Sequence, residues 1–282
     1  MLKKILYTDS GSSNCQDMLV NLMDIPAFRN AELNLLHVVP RQITKESEAE
    51  KQEEGERNLD NIVAKLGLDS DRVNKIMRQG EPKDTVLKVA DELNTDLIIM
   101  GSRGLGRLEA ILSNSVSQYV FQLTNRPMLL VKDDIYVKKI KRVMVAIDKA
   151  PASQYALDLA LYMLRDYTEA QLFLVRVNPD LKPEFLPLSK TEMETNPVLE
   201  PAVTKAKRMG INYRCIVTGG RPAEQICNLV EENNIDLLLL GSPDRRPSIA
   251  KNLPDLDRLL GTSLSDYVRV KVNCPVLLAR TN

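Results

Sequence analysis

The residues of this chain best suited to chemistry lie between Leu97 and Lys132. An apolar run, Leu97 to Met100, stops at Gly101, and Gly104 and Gly106 follow it. Ser113, Asn114 and Ser115 then stand before a helical pattern with Val116, Tyr119, Val120 and Leu123 on one face. Glycine lets a backbone come close to an anion, and a helix start offers N–H groups and the positive end of a dipole. A glycine loop alone is often only a turn. Strand, glycine loop and Ser/Asn-capped helix in this order make a phosphate cradle.

Other chemistries are poorly supplied. The chain has one histidine, His37, and four cysteines (Cys15, Cys215, Cys227, Cys274) that form no CxxC pair and have no histidine nearby in sequence. A zinc site or a Ser-His-Asp triad lacks its parts. The cysteines read as reduced, mostly packed thiols. His37 reads as structural or rim-facing, because a catalytic histidine needs a nucleophile and an orienting group.

Composition narrows the class further. At 282 residues the chain is long enough for two ordinary domains. Hydrophobic residues at 44% and charged residues at 27% suit a globular protein. Lys+Arg and Asp+Glu are both 38, so no global field favours nucleic acid, and aromatics at 4% without Trp give no base-stacking platform. The start, MLKKILYTDS, is too short and too quickly polar for a signal peptide, and no apolar run approaches membrane-spanning length. The expectation is a cytoplasmic protein with no membrane segment.

The elements that must position the cradle follow in order. Lys4–Thr8 is a short strand ending at Asp9, and a helical pattern runs through Met18, Leu19, Leu22 and Met23. Leu33–Val39 is a second strand, closed by Pro40, and residues 44–66 form a helix that is charged early and amphipathic late. Val73–Met77 is a third strand. Gly80 and Pro82 then open a helix through Val86, Val89 and Leu93. Asp96 leads into the fourth strand. Pro127 starts the fifth, a position that suits an edge strand because no N–H is lost from a ladder.

The pattern then begins again. Lys141–Ile147 ends at Asp148 as the first strand ends at Asp9, and Leu172–Val177 repeats Leu33–Val38. The Gly220–Pro222 corner repeats Gly80–Pro82, and DLLLLGS from Asp236 repeats DLIIMGS from Asp96. SLSDYV from Ser263 answers SVSQYV from Ser115, and the run after Pro275 answers that after Pro127. Landmarks that keep their order mark a duplicated unit. The domains are predicted at 1–134 and 139–282. Alternating strands and helices predict an α/β fold: two tandem five-stranded, doubly wound, Rossmann-like parallel units packed as a pseudo-dimer. The fifth strands, Met128–Val131 and Val276–Ala279, are predicted to pair or pack across the pseudo-twofold axis. Ligands of such sheets sit past the carboxyl ends of the strands, where strand order reverses. With the first and fourth strands as neighbours, Asp9 and the Gly101 loop face one crevice. An acid at one wall and phosphate donors at the other suit a nucleotide.

These residues resemble the universal stress protein family, in its tandem two-domain form, over nearly the whole chain. The ATP-binding members carry G-x2-G-x9-G-[ST] after the fourth strand. Gly101-Ser102-Arg103-Gly104 matches its first half, and Asn114-Ser115 stands where Gly-Ser is expected. The resemblance implies an adenine-nucleotide α-hydrolase-like fold and a bound ATP or ADP, with or without Mg. It places Asp9 on the ribose or adenine side with Thr8 beside it, and Val38 at the adenine edge. Met100, Gly101, Arg103 and Gly104 would line the triphosphate path. Ser115, Val116 and Ser117 would donate to phosphates, and Asn114, where the family has glycine, puts a side chain beside them. The plainer alternatives are an Asx turn for Asp9, simple N-caps for Ser115 and Ser117, and surface arginines for Arg103 and Arg107.

The second copy departs further. Pro243-Asp244 follows Gly241-Ser242, and the loop to Gly261-Thr262-Ser263 is about eight residues longer than in the first copy. An acid there would repel phosphate. A degenerate second site is expected, with that unit a structural partner to the first. Arg245, Arg246, Lys251 and Arg258 make the loop basic, as either a solvated loop or a docking patch. The function implied is stress-response or regulatory: a nucleotide held in the first repeat, acting through conformation or an unidentified protein partner. Homodimerisation of the whole chain stays open. The alternatives are a nucleotide-free interaction scaffold or a slow nucleotide hydrolase. No Walker Gly-Lys-[ST] is present, so a dedicated metal-assisted motor is not indicated. No dedicated catalytic activity and no catalytic or metal-ligating residue is expected, with slow ATP hydrolysis left open.

Overall fold

The computed structural model describes residues 2–8, 13–41, 45–68, 70–102, 115–136, 138–242 and 263–280. The first repeat runs β1 (Lys4–Thr8), α1 (Ser13–Met23), β2 (Glu32–Val39), α2 (Lys45–Leu66), β3 (Val73–Gln79), α3 (Pro82–Glu92), β4 (Leu97–Ser102), α4 (Val116–Leu123) and β5 (Met128–Lys132). The second runs β6 (Arg142–Ala146), α5 (Pro151–Leu164), β7 (Gln171–Asn178), α6 (Lys190–Glu194), α7 (Glu200–Arg208), β8 (Tyr213–Gly219), α8 (Pro222–Glu232), β9 (Leu237–Gly241), α9 (Leu264–Lys271) and β10 (Val276–Ala279).

Successive strand residues point to opposite faces, so a strand that is apolar at every position must be covered on both. Leu97 to Met100 and Met128 to Val131 are such runs, and all eight side chains are buried. On one face Tyr7, Leu35, Ile99 and Val131 meet Met18 and Leu22 of α1 and Leu59 and Ile62 of α2. On the other, Leu6, Leu36, Ile98 and Leu130 meet Val86 and Val89 of α3 and Val120 and Phe121 of α4. Each of these cores continues through the second repeat, the first into Leu277, Val145 and α5, the second into Leu278, Leu238 and α8.

The strand order is β3-β2-β1-β4-β5-β10-β9-β6-β7-β8 in one ten-stranded sheet. Pairing is parallel inside each repeat and antiparallel at the junction, where Val276, Leu277 and Leu278 register with Leu130, Leu129 and Met128. The expected pairing of the fifth strands is therefore observed. The edge reading of β5 needs correcting: β5 is outermost in its own repeat but lies in the middle of the assembled sheet. Pro127 costs no ladder bond there, because it stands before the strand and contributes its carbonyl to the Ile98 N–H at 3.0 Å.

The duplication reaches single hydrogen bonds. Asp96 Oδ2 accepts the Lys3 and Lys4 N–H groups at 2.7 and 2.9 Å, and Asp236 Oδ2 accepts those of Lys141 and Arg142 at 3.0 and 2.8 Å. These clips tie the start of the first strand to the start of the fourth in each repeat. The corners repeat as well, with Gly80 at φ 151° and Gly220 at φ 99°, each followed by a helix with proline in its first turn.

Because both cores cross the junction, the chain is expected to melt as one unit. Leu277→Ala, at a fully buried position opposite Leu129, should cost about 2–5 kcal/mol and lower the melting point of both repeats together. Scanning calorimetry checks this; two separate endotherms would contradict a shared core.

Candidate functional site

Strand order reverses between β1 and β4, which leave the sheet side by side: Thr8 is in register with Met100 and Tyr7 with Ile99. Thr8 is buried and its Oγ1 donates to the Ile99 carbonyl at 3.5 Å. The carboxyl end of β1 is thus held against β4 by its side chain as well as its backbone. β2 lies on the other side of β1, and Thr8 registers with Leu36, so His37 and Val38 continue past the end of β1. Both are half-buried. Met100 is buried, and Gly101 and Ser102 beyond it are partly open.

Helix α4 packs against β4 from one face of the sheet. Ser115 is its N-cap, with extended backbone and a side chain that accepts the Gln118 N–H at 3.2 Å. The Ser115 carbonyl takes the Tyr119 N–H, and Ser115 Oγ lies 3.4 Å from Ser117 Oγ. Val116 and Ser117 head the helix, where a first turn leaves N–H groups for an outside acceptor. Val116 packs against the core cluster that contains Met100, which sets the helix start over the end of β4. The structure therefore brings together Thr8, Met100, Gly101, Ser115, Val116 and Ser117, with Val38 at the flank. Asp9, Arg103, Gly104 and Asn114 lie outside the described residues, as do Arg107 and the loop carrying Arg245, Arg246, Lys251 and Arg258.

His37 lies under α2. A Cβ at Gly55 would stand 2.5 Å from its Cδ2, so the helix crosses the imidazole at a residue without a side chain. None of the four cysteines is in a disulfide, and three are buried; burial pushes Cys215 up to about 11 and Cys274 up to about 12, which keeps both thiols protonated.

The second repeat shows the corresponding strand ends and helix start. Asp148 Oδ1 accepts the Ala150 N–H at 2.9 Å, an Asx turn, and the Asp148 N–H donates to Ser153 Oγ at 2.9 Å. Gly241 abuts the start of α5 so closely that a Cβ would overlap the Ser153 nitrogen and the Ala152 carbonyl carbon. Ser242, Ser265 and Ser263 form a chain of hydroxyls at 3.2 and 3.1 Å, and Ser263 Oγ donates to Asp266 Oδ2 at 3.0 Å. Asp266, 8% exposed, sits in the first turn of α9 at the place of Gln118 in α4. A carboxylate there interacts favourably with the helix dipole, as an anionic ligand would. Sequence reasoning passed over Gln118 and Asp266, although the mismatch between SVSQ and SLSD carried the signal.

The Universal stress protein family model matches the chain twice, at residues 1–132 and 139–280. The chain belongs to that family. It is 30% identical over 155 residues to Universal stress protein MJ0577 of Methanocaldococcus jannaschii, covering 47% of this chain and 96% of that one. It is also 30% identical over 148 residues to Universal stress protein YxiE of Bacillus subtilis, covering 47% of this chain and all of that protein. A crystal structure of a universal stress protein from Archaeoglobus fulgidus superimposes over the full length of both chains with a TM-score of 0.75 at 22% identity, which supports the tandem fold.

The two serine caps are expected to differ in weight. Ser115→Ala removes one cap and should cost about 1 kcal/mol. Ser263→Ala also strips a donor from a buried carboxylate and should cost more, about 2–3 kcal/mol. Urea denaturation of the two variants checks the order; equal losses would mean that the hydroxyl chain contributes nothing.

Proposed function

We propose that the first repeat binds an adenine nucleotide, ATP or ADP, and that the protein is a cytoplasmic stress-response regulator. In this reading it signals through conformation and protein partners rather than through dedicated catalysis. The observation that carries it is the rung between Thr8 and Met100 at a strand-order reversal, with the capped start of α4 set over the same strand ends. Asp9, Arg103, Gly104 and Asn114 join the site on the family motif. Asp9 would take the ribose or adenine side, and the Gly101–Gly104 turn with Ser115, Val116 and Ser117 would take the phosphates. Val38 flanks the adenine end.

One nucleotide per chain is the corresponding stoichiometry. The support is Asp266, which brings an anion to the start of α9 where α4 has Gln118. The domain assignment that goes with this is a nucleotide-binding unit at 1–134 and a degenerate unit at 139–282. Among the described residues no helix is long and apolar enough to cross a membrane.

Thermal melts with ATP and ADP, with and without Mg, test the reading. At about a hundredfold excess over the dissociation constant the ligand adds about 2.7 kcal/mol, which raises the melting point of a chain this size by about 5 °C. Gly101→Val and Asp9→Ala should each abolish that shift, and calorimetric titration should give one site. A flat response to millimolar nucleotide would replace this reading with a nucleotide-free interaction scaffold.

A further inference from the structure

A cavity of about 450 Å³ opens between the repeats at the amino ends of β4 and β5, on the opposite rim of the sheet from the nucleotide crevice. Its volume is that of a small-molecule pocket, about 300–1,000 Å³. Asp96, Asn125 and Arg126 of the first repeat line it, with Tyr155 of α5 and Arg280 at the end of β10 from the second.

Both arginines are held in place by the protein itself. Arg126 Nη1 donates to the Thr95 carbonyl at 2.8 Å and to Asn94 Oδ1 at 3.4 Å, and Nη2 donates to Asp91 Oδ1 at 3.1 Å. The Nε–H and one Nη2–H then have no partner among the described residues. Arg280 is 4% exposed, lies 4.2 Å over the Phe121 ring and donates to the Thr124 carbonyl at 3.1 Å. Two cations and one acid thus line the cavity, and the acid, Asp96, already accepts the Lys3 and Lys4 N–H groups through Oδ2. Asp91 is outside the lining and exposed to water. Guanidinium groups fixed in this way suit a carboxylate or phosphate.

The neighbouring polar groups call for a hydroxyl on the same ligand. Asn125 Oδ1 is buried and has no hydrogen-bond partner among the described residues. An unmet buried acceptor costs about 1–3 kcal/mol, which a ligand O–H would remove. Burial, with the Asp96 carboxylate nearby, raises the Tyr155 phenol, so its O–H stays a donor. The pseudo-symmetric place in the second repeat has none of this. By the repeat alignment Cys274 stands for Arg126, Ile235 for Thr95 and Lys132 for Arg280. Cys274 and Ile235 are buried, and the Lys132 amine donates to the Val270 carbonyl at 3.0 Å.

We propose that this cavity is a second ligand site, for one small hydroxylated oxyanion per chain. Arg126 and Arg280 take its carboxylate or phosphate, and Asn125 Oδ1 accepts from its hydroxyl. The site is separate from the nucleotide crevice and does not depend on it.

Calorimetric titration of the full chain with citrate and with glycerol 3-phosphate tests this and separates a hydroxy acid from a phosphate ester. At least one should bind at one site per chain. Its partner without the hydroxyl, tricarballylate for citrate or inorganic phosphate for the ester, should bind about fivefold more weakly. Arg126→Gln should weaken binding about tenfold or more, and Asn125→Ala should erase the preference for the hydroxylated probe. Saturating ATP should leave the binding unchanged. No binding of either probe at millimolar concentration, displacement by ATP, or parent-like binding by both variants would overturn the site. If the Arg126 variant fails to fold, the Asn125 variant decides; if the chain takes no ATP, the two variants decide without that arm.

Discussion

The structure depends on one backbone pairing. β5 is apolar at four successive positions and ends its own repeat, so a repeat standing alone would present a flat, hydrophobic edge of unpaired N–H and C=O groups. β10 presents the same edge in the second repeat, and the two close on each other. Because that pairing is antiparallel, the strands of the two repeats run in opposite directions, and their carboxyl ends emerge on opposite rims of one sheet. The candidate crevices therefore point away from each other. The amino-end clip at Asp96 shares a rim with the end of β10, where Arg126, Tyr155 and Arg280 line a cavity of about 450 Å³.

A continuous sheet with two continuous cores also makes the repeats interdependent in stability. Each core cluster runs from one outer part of the sheet to the other, so a loss of packing at the junction is felt on both sides. The second repeat can thus support the first without binding anything itself. Tyr162 of α5 adds to this on one face, donating to the Ala27 carbonyl at 3.0 Å, while the network around Arg269 joins α4 to α9 on the other.

Much of this was legible in the sequence, and the limit has a physical cause. Apolar runs ending in Asp or Gly-Ser report burial and strand ends, so the ten strands, their repetition and the meeting of β5 with β10 could be read directly. Thr8, Met100 and Ser115 could be placed because the carboxyl ends of parallel strands and the N-termini of helices have fixed chemistry wherever they occur. Pro127 misled in one respect: a missing N–H marks the edge of a repeat but does not say whether another edge will cover it. Distant side-chain partners left no periodic trace. Nothing in the spacing of Gln118 and Arg269, or of Gly55 and His37, reveals that folding brings each pair together.

The duplicated helix starts show how one substitution can change two properties. In α4 the third residue is Gln118, whose N–H goes to the Ser115 cap and whose side chain turns to the neighbouring repeat. In α9 it is Asp266, whose Oδ2 accepts from Ser263 and whose Oδ1 accepts from Arg269. With both oxygens engaged, that carboxylate holds negative charge at the helix start and also anchors the cation that crosses to Gln118. A phosphate entering there would meet like charge, and displacing Asp266 would leave Arg269 buried without its acid, a cost far larger than an ordinary surface contact returns. Under the proposed reading, losing a ligand seat in the second repeat and gaining a joint with the first are the same event, because the charge that excludes the ligand is the charge that orients the joint.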